Sequence, residues 1–141
     1  MRYLIDTNVL VAALMSRRGA SHQILRRVLT GELPIVIHHK LLWEYRDVTS
    51  RTELNARFAL DDEELSRLIG RIAHVAQEIP VRYLWRPNLS DEGDNFVLEI
   101  AAAAAPCTIV THNVDDFRQG QLRFPEIAVL TPPALLTRLN H

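Results

Sequence analysis

Short apolar runs, too brief for helices, alternate along the chain with longer stretches in which apolar residues recur every three or four positions. Tyr3-Leu4-Ile5, Pro34-Ile-Val-Ile37, Thr108 to Thr111 and Ile127 to Leu130 have the length and the β-branched content of buried strands, and Ile79 to Tyr83 reads as an edge strand. Between them lie helical stripes: Val9, Leu10, Ala13 and Leu14; Ile24, Leu25, Val28 and Leu29; Leu41, Leu42, Tyr45 and Val48; Leu65, Leu68, Ile69, Ile72 and Val75; Val97, Leu98, Ala101 and Ala105; then Leu135, Leu136 and Leu139. Local punctuation agrees with these limits. Ser21 stands where a cap for the second helix is needed, Gly31 sits at its C′ position, Asp61-x-x-Glu64 is a capping box, and Pro132 opens the last helix. Ser50 to Leu60 is expected as a loop or frayed helix, and Leu84 to Leu89 as a loop with Trp85 and Pro87 packed locally. Strands alternating with helices of this length predict an α/β fold, a parallel sheet with helices on both faces.

Composition narrows the picture. A chain of 141 residues with 48% apolar content predicts one domain, residues 1–141, without a second core or a linker. The net charge of −1 gives no global basic field, yet Lys40 is the single lysine among 16 cations, and arginine is the side chain that grips phosphate bidentately. High-GC codon usage is the blander source of that bias. Cys107 is alone, which excludes an internal disulfide and fits a reducing compartment. Asp6 and Asn8 break the apolar start, and no run approaches the ~20 residues of a membrane span, so the expected location is cytoplasmic with no membrane association.

Three strand-to-helix turns carry the candidate chemistry. The first strand ends in Asp6-Thr7-Asn8, the strand at Thr108 to Thr111 ends in His112-Asn113-Val114-Asp115-Asp116, and Asp91-Glu92-Gly93-Asp94-Asn95 opens the alanine-rich helix. Taken singly, each is explained by helix capping. Together they point to one edge of one sheet: if the first strand is central and the chain reverses beside it, these turns meet at the topological switch point. Glu44 lies at i+3 from Leu41 and i−4 from Val48, so it borders a buried stripe. There it is either part of that cleft or an exposed acid paired with Lys40 or Arg51. Asp61 to Glu64, by contrast, sit in a first turn where the macrodipole favours them and are assigned a structural role. Clustered carboxylates raise one another's pKa values unless a cation holds them, and hard oxygen donors suit Mg²⁺ or Mn²⁺. A zinc site is not expected, because the adjacent His38 and His39 should diverge and Cys107 lacks a cysteine partner.

In order and spacing, Leu4-Ile-Asp6-Thr-Asn8-Val-Leu10, Leu41-Leu-x-Glu44-Tyr-x-x-Val48, Asp91-x-x-Asp94-Asn-Phe-Val-Leu-Glu99-x-Ala101 and Ile109-Val-Thr111-His-Asn113-Val-x-Asp116-Phe117 resemble the PIN-domain ribonucleases. More narrowly they are similar to the VapC-like toxin components of toxin-antitoxin systems, over residues from the start to about Phe117. The resemblance implies a sheet in the order 3-2-1-4-5, Mg²⁺- or Mn²⁺-dependent endoribonuclease activity, a homodimer, an RNA substrate and a small antitoxin partner. It implies Asp6, Glu44 and Asp94 as metal-binding acids, Asp116 as a supplementary carboxylate, and Asn8 and Thr111 as groups orienting water and the ligand shell. At Asn113 the chain departs from the commoner aspartate, which removes a charge unless Asp116 turns inward, and His38-His39 stands where relatives often carry a small hydroxyl cap.

Two other readings compete. A PIN-like fold turned into a catalytically inactive interaction module is compatible with Asn113, although an unused acid cluster burdens stability. A Mg²⁺-dependent phosphatase or receiver-type phosphoryl-transfer domain also uses carboxylates at strand ends. The phosphatase would need an acid where Asn8 stands, and the receiver would need an acidic pair at the first strand end and a lysine near the last strand, far from Lys40. Arg17, Arg18 and Arg46, with Arg26 and Arg27, flank the proposed cleft as candidate contacts for phosphate or for an acidic antitoxin segment.

Overall fold

β1 (Arg2–Ile5), β4 (Cys107–Val110) and β5 (Ile127–Leu130) form a parallel sheet in the order β1-β4-β5, with Ile5 beside Val110 and Val110 beside Leu130. They belong to a computed structural model that describes residues 1–51, 55–58, 60–80, 92–118 and 124–140, without the side chains of residues 92–95. β2 (Val36–Ile37) and β3 (Gln77–Glu78) pair in parallel as a second, two-stranded piece. The pieces abut where Tyr3 bridges Ile35 and the Tyr3 N–H donates to the Pro34 carbonyl at 3.0 Å, so the strands lie across the molecule as β3, β2, β1, β4, β5. Every residue of β4 is buried, as a parallel strand covered on both faces requires, whereas β5 alternates buried and half-buried positions.

The helices cover this sheet with the stripes that periodicity predicts. α1 (Thr7–Met15) buries Val9, Leu10 and Ala13; α2 (Ala20–Leu29) buries Ile24 and Val28; α4 (Asp62–Val75) buries Leu65, Ile69 and Ile72. α3 (His39–Thr49) is seated by Leu41, Tyr45 and Thr49, with Leu42 and Val48 only half-buried. α5 (Glu92–Ala103) lays Ile100 and Ala101 fully buried against the core, its small residues allowing a close approach. α6 (Pro132–Leu139) starts from the Thr131 side-chain cap with Pro132 in its first turn, as expected.

Several expectations shift. The edge strand forms at Gln77–Glu78, just before Ile79, because the Gln77 and Ile79 N–H groups donate to the Ile35 and Ile37 carbonyls; residues 81–83 lie outside the described residues, as do Trp85, Pro87 and Asp91. Ser21 does not cap α2, whose N-cap is Gly19 without a side-chain bond. Its hydroxyl instead meets His112 Nε2 at 3.1 Å, tying α2 to the turn after β4. Gly31 closes α2 with φ 81°, a left-handed conformation that glycine adopts without steric cost.

Candidate metal-binding acidic site

Asp6 stands where β1 becomes α1, and its two oxygens do different work. Oδ1 accepts from the Thr7 N–H at 2.8 Å and so caps α1, while Oδ2 accepts from Thr111 Oγ1 at 2.8 Å and from Asn8 Nδ2 at 3.3 Å. Capping and site-building are therefore not alternatives for this residue. The carboxyl is 7% exposed, and burial pushes its pKa above the ordinary 3.8; the bonds from Thr111 and Thr7 oppose that, and the charges of Glu44 and Asp116 add to it. Asn8 completes the clamp: its Nδ2 reaches Thr111 Oγ1 at 3.3 Å and its Oδ1 accepts from the His112 N–H at 3.2 Å. Thr111 is fully buried and also accepts from the Asn113 N–H at 3.1 Å, so its hydroxyl is committed to holding Asp6 and the turn together.

Glu44 arrives from α3. Its Oε2 accepts from Thr7 Oγ1 at 2.7 Å, which joins it to the residue next to Asp6. Neither alternative pairing forms among the described residues, since Arg51 reaches Asp47 at 3.5 Å and Lys40 lies with Nζ 5.8 Å from the Phe96 ring centre. The adjacent Tyr45 fixes the height of α3: it is buried, and its hydroxyl donates to the Ile5 carbonyl at the end of β1. Burial, then the charges of Asp6 and Glu44, keep that phenol well above its usual pKa of 10.0. In the sequence Thr7 was legible only as part of the Asp6-Thr7-Asn8 turn and Tyr45 only as part of an inward stripe; their bonds to Glu44 and to the Ile5 carbonyl are visible only in the fold.

The start of α3 is capped by an imidazole in place of a hydroxyl, with His38 Nδ1 accepting from the Lys40 N–H at 3.1 Å. Burial foremost, with His39 and Lys40 adding, lowers the His38 pKa from 6.5, which suits an acceptor nitrogen. The two histidine rings do not diverge. Their centres are 4.2 Å apart, because His38 turns to serve as the cap and packs edge-on against Phe96 at 5.3 Å.

After β4 the chain forms a 3-10 turn, Val114–Phe117, anchored by the buried Phe117. Asp116 is exposed there and close enough for its charge to raise the Asp6 pKa, while Asp115 pairs outward with Arg118 at 2.8 Å. Asn113 precedes the turn without a side-chain capping bond. Asp94 falls in the first turn of α5, and its side chain is outside the described ones. Among the described residues no group of three His, Cys, Asp or Glu side chains is close enough to hold a metal. Further along α5, Glu99 is 5% exposed and neither carboxylate oxygen has a hydrogen-bond partner. Arg17 and Arg18 are exposed at the far end of α1, whose nine residues span about 13 Å, and Arg46 is exposed two residues from Glu44.

Adjacent parallel strands that deliver polar side chains from their carboxyl ends define an α/β domain with its ligand site at the topological switch point. The profile of the PIN domain matches residues 2–115, and the chain belongs to that family, whose members are in general divalent-metal-dependent nucleases. No curated protein matches the chain. Solved structures that share its fold include the following two. A chain of VapBC2 from Rickettsia felis, bound to a DNA fragment from its promoter, is 15% identical with a TM-score of 0.58, over 93% of this chain and 98% of that one. A chain of FitAB bound to the IR36 DNA fragment is 14% identical with a TM-score of 0.60, over 92% of this chain and 94% of that one.

Proposed function

We propose that the protein is a Mg²⁺- or Mn²⁺-dependent endoribonuclease that hydrolyses RNA phosphodiester bonds and serves as the toxin of a toxin-antitoxin pair. The observation that carries this reading is the buried Asp6 carboxyl, held by Thr111, Asn8 and Thr7 while the charges of Glu44 and Asp116 crowd it. A carboxyl so placed is costly unless it meets a cation or a proton. Asp6, Glu44 and Asp94 would hold the ion, with Asp116 supplementary; all are hard oxygen donors, a fit for Mg²⁺ or Mn²⁺. When bound, such an ion activates water and neutralises charge developing on a phosphodiester. The chain's own part is positional. Thr111 and Asn8 fix the Asp6 oxygens, Thr7 bridges Asp6 to Glu44, and Tyr45 sets α3 against the end of β1. Asn113, neutral where an acid is common in relatives, contributes its backbone N–H to Thr111 and leaves the outer carboxylate role to Asp116.

The likeness to chains of the VapBC2 and FitAB assemblies supports an antitoxin partner, and the VapC-like motifs imply a homodimer. Arg17 and Arg18, a helix length from Asp6, suit an acidic antitoxin segment, whereas Arg46 suits RNA. The reading is tested by incubating the purified chain with single-stranded and structured RNAs in Mg²⁺, Mn²⁺ or EDTA. Cleavage should need the ion, and Asp6→Asn or Asp94→Asn should lower turnover by about two to three orders of magnitude, as loss of a charge-stabilising group typically does. Wild-type activity of Asp94→Asn after EDTA treatment and Mg²⁺ restoration would remove Asp94 from the site.

A further inference from the structure

α3 presents two very different neighbours side by side. Glu44 turns toward Thr7 and the buried Asp6, whereas Trp43 is 70% exposed, the most exposed of three large hydrophobic side chains at the surface among the described residues. The other two, Met1 and Met15, stand at the start of β1 and the end of α1, remote from the carboxyl ends of the strands. Among the described residues no other exposed large hydrophobic side chain lies on α3 beside Trp43. Its charged neighbours at helical spacing are two cations and Asp47, the acid being paired with Arg51 at 3.5 Å. Lys40 lies one helical turn before it and Arg46 one turn after, together spanning about 9 Å of helix. Among the described residues neither cation has an ion pair, although Arg46 shares a hollow of about 250 Å³ with Asp62. Lys40 reaches toward α5: its Nζ lies over the Phe96 ring, 5.8 Å from its centre, and Phe96 follows Asp94 by two positions in the first turns of α5.

An exposed aromatic face flanked by cations, next to a phosphodiester-cleaving centre, is how single-stranded nucleic acid is gripped without sequence readout. Building on the ribonuclease reading above, we propose that Trp43 is a stacking platform for one base of single-stranded RNA adjacent to the scissile bond, with Lys40 taking the neighbouring phosphate. Trp43 positions the strand; it does not touch the reacting atoms. Phe96 holds the Lys40 ammonium between α3 and α5.

The test uses the full chain and a 12-nucleotide uridine oligoribonucleotide, with binding measured in EDTA and cleavage measured in Mn²⁺. Trp43→Ala should weaken binding on the order of 5- to 100-fold, the equivalent of ~1–3 kcal/mol for one stacked base at 1.4 kcal/mol per tenfold. The loss should fall on KM more than on kcat, and Trp43→Phe should recover most of it. RNA should quench the tryptophan fluorescence of wild type, and Trp43→Phe should lose that quenching, with Trp85 as the remaining reporter. Lys40→Ala should flatten the slope of log binding constant against log salt by about 0.7, one phosphate's worth on a single strand. Wild type that cleaves and binds, with Trp43→Ala binding within twofold of it, overturns the stacking site and leaves the ribonuclease reading intact. Wild type that neither binds nor cleaves RNA with any divalent ion overturns both. A Trp43→Ala variant that binds RNA normally but changes its sedimentation or loses an antitoxin would mark the face as a protein contact and likewise refute the proposal.

Discussion

Asp6 carries two tasks that look mutually exclusive in the sequence, and its energetics follow from doing both. Its raised pKa means that the folded chain keeps the proton where the unfolded chain has already lost it. Asp6 therefore favours the fold at pH values below 3.8, and that contribution is lost as the pH rises through its raised value. Above that raised value the ionised group costs stability. Burial is the largest cause and cannot be mutated away, but Glu44 adds to it and can be neutralised without losing the Thr7 contact, since a glutamine oxygen also accepts. Glu44→Gln should melt at or slightly above wild type at pH 7 in EDTA, the difference closing toward pH 4. In Mn²⁺ the order should reverse, because wild type gains more from the ion. Melting curves at both pH values, with and without Mn²⁺, decide it; a variant that melts lower in EDTA would show that Glu44 is a structural acid.

Helix ends supply the contrast at the level of elements. Asp61 Oδ1 accepts from the Glu64 N–H at 2.8 Å and Glu64 Oε1 accepts from the Asp61 N–H at 3.2 Å, a complete capping box on the exposed start of α4. Asp61→Ala should cost ~1 kcal/mol and a few degrees of Tm whether or not divalent ion is present, with RNA cleavage near wild type. A metal-dependent loss of stability there would place α4 in the site. Asp94 is the third residue of α5, inside the helix and not at its N-cap; as a member of the proposed site, Asp94→Asn should melt at or above wild type in EDTA by relieving repulsion, and it should lose most of the stabilisation by Mn²⁺. Asp94→Ala, run alongside, should behave the same way for a ligand, and should melt lower with or without the metal for an acid that only favours the first turn of α5.

Cys107 reports on the whole molecule. It is fully buried at the start of β4, between β1 and β5, and burial pushes its thiol up to about 11 against a smaller opposing effect of Arg2. At pH 8 a thiol reagent should label it only through opening of the central sheet. An ion at a hundred times its dissociation constant stabilises the fold by ~2.7 kcal/mol, so saturating Mn²⁺ should slow labelling about a hundredfold. Fast labelling indifferent to Mn²⁺ would mean that β4 opens locally, without releasing the site. No helix among the described residues is long and apolar enough to cross a membrane.

Periodicity, caps and turn residues are local, and they were enough to identify the α/β class, the stripes of α1, α2 and α4, the Gly31 terminus, the Asp61 box and the acidic turns as candidate chemistry. The motif spacing added the PIN resemblance. What local pattern does not encode is which side chain meets which across the chain. The parallel register Ile5–Val110 brings Thr111 to Asp6 from 105 residues away, and the seating of α3 by Tyr45 brings Glu44 to Thr7 from 37 away. The same holds for small polar groups with several available partners. Ser21 left its helix cap for His112, and His38 left its expected divergence from His39 to cap α3, because in each case packing, not sequence position, set the nearest partner. A two-residue strand such as Gln77–Glu78 has too few positions to show a period, so only its pairing with β2 reveals it. Sequence therefore determined the elements and the chemical types at their ends; the tertiary structure decided the pairings, because hydrogen-bond partners and register follow from burial against neighbours distant in the chain.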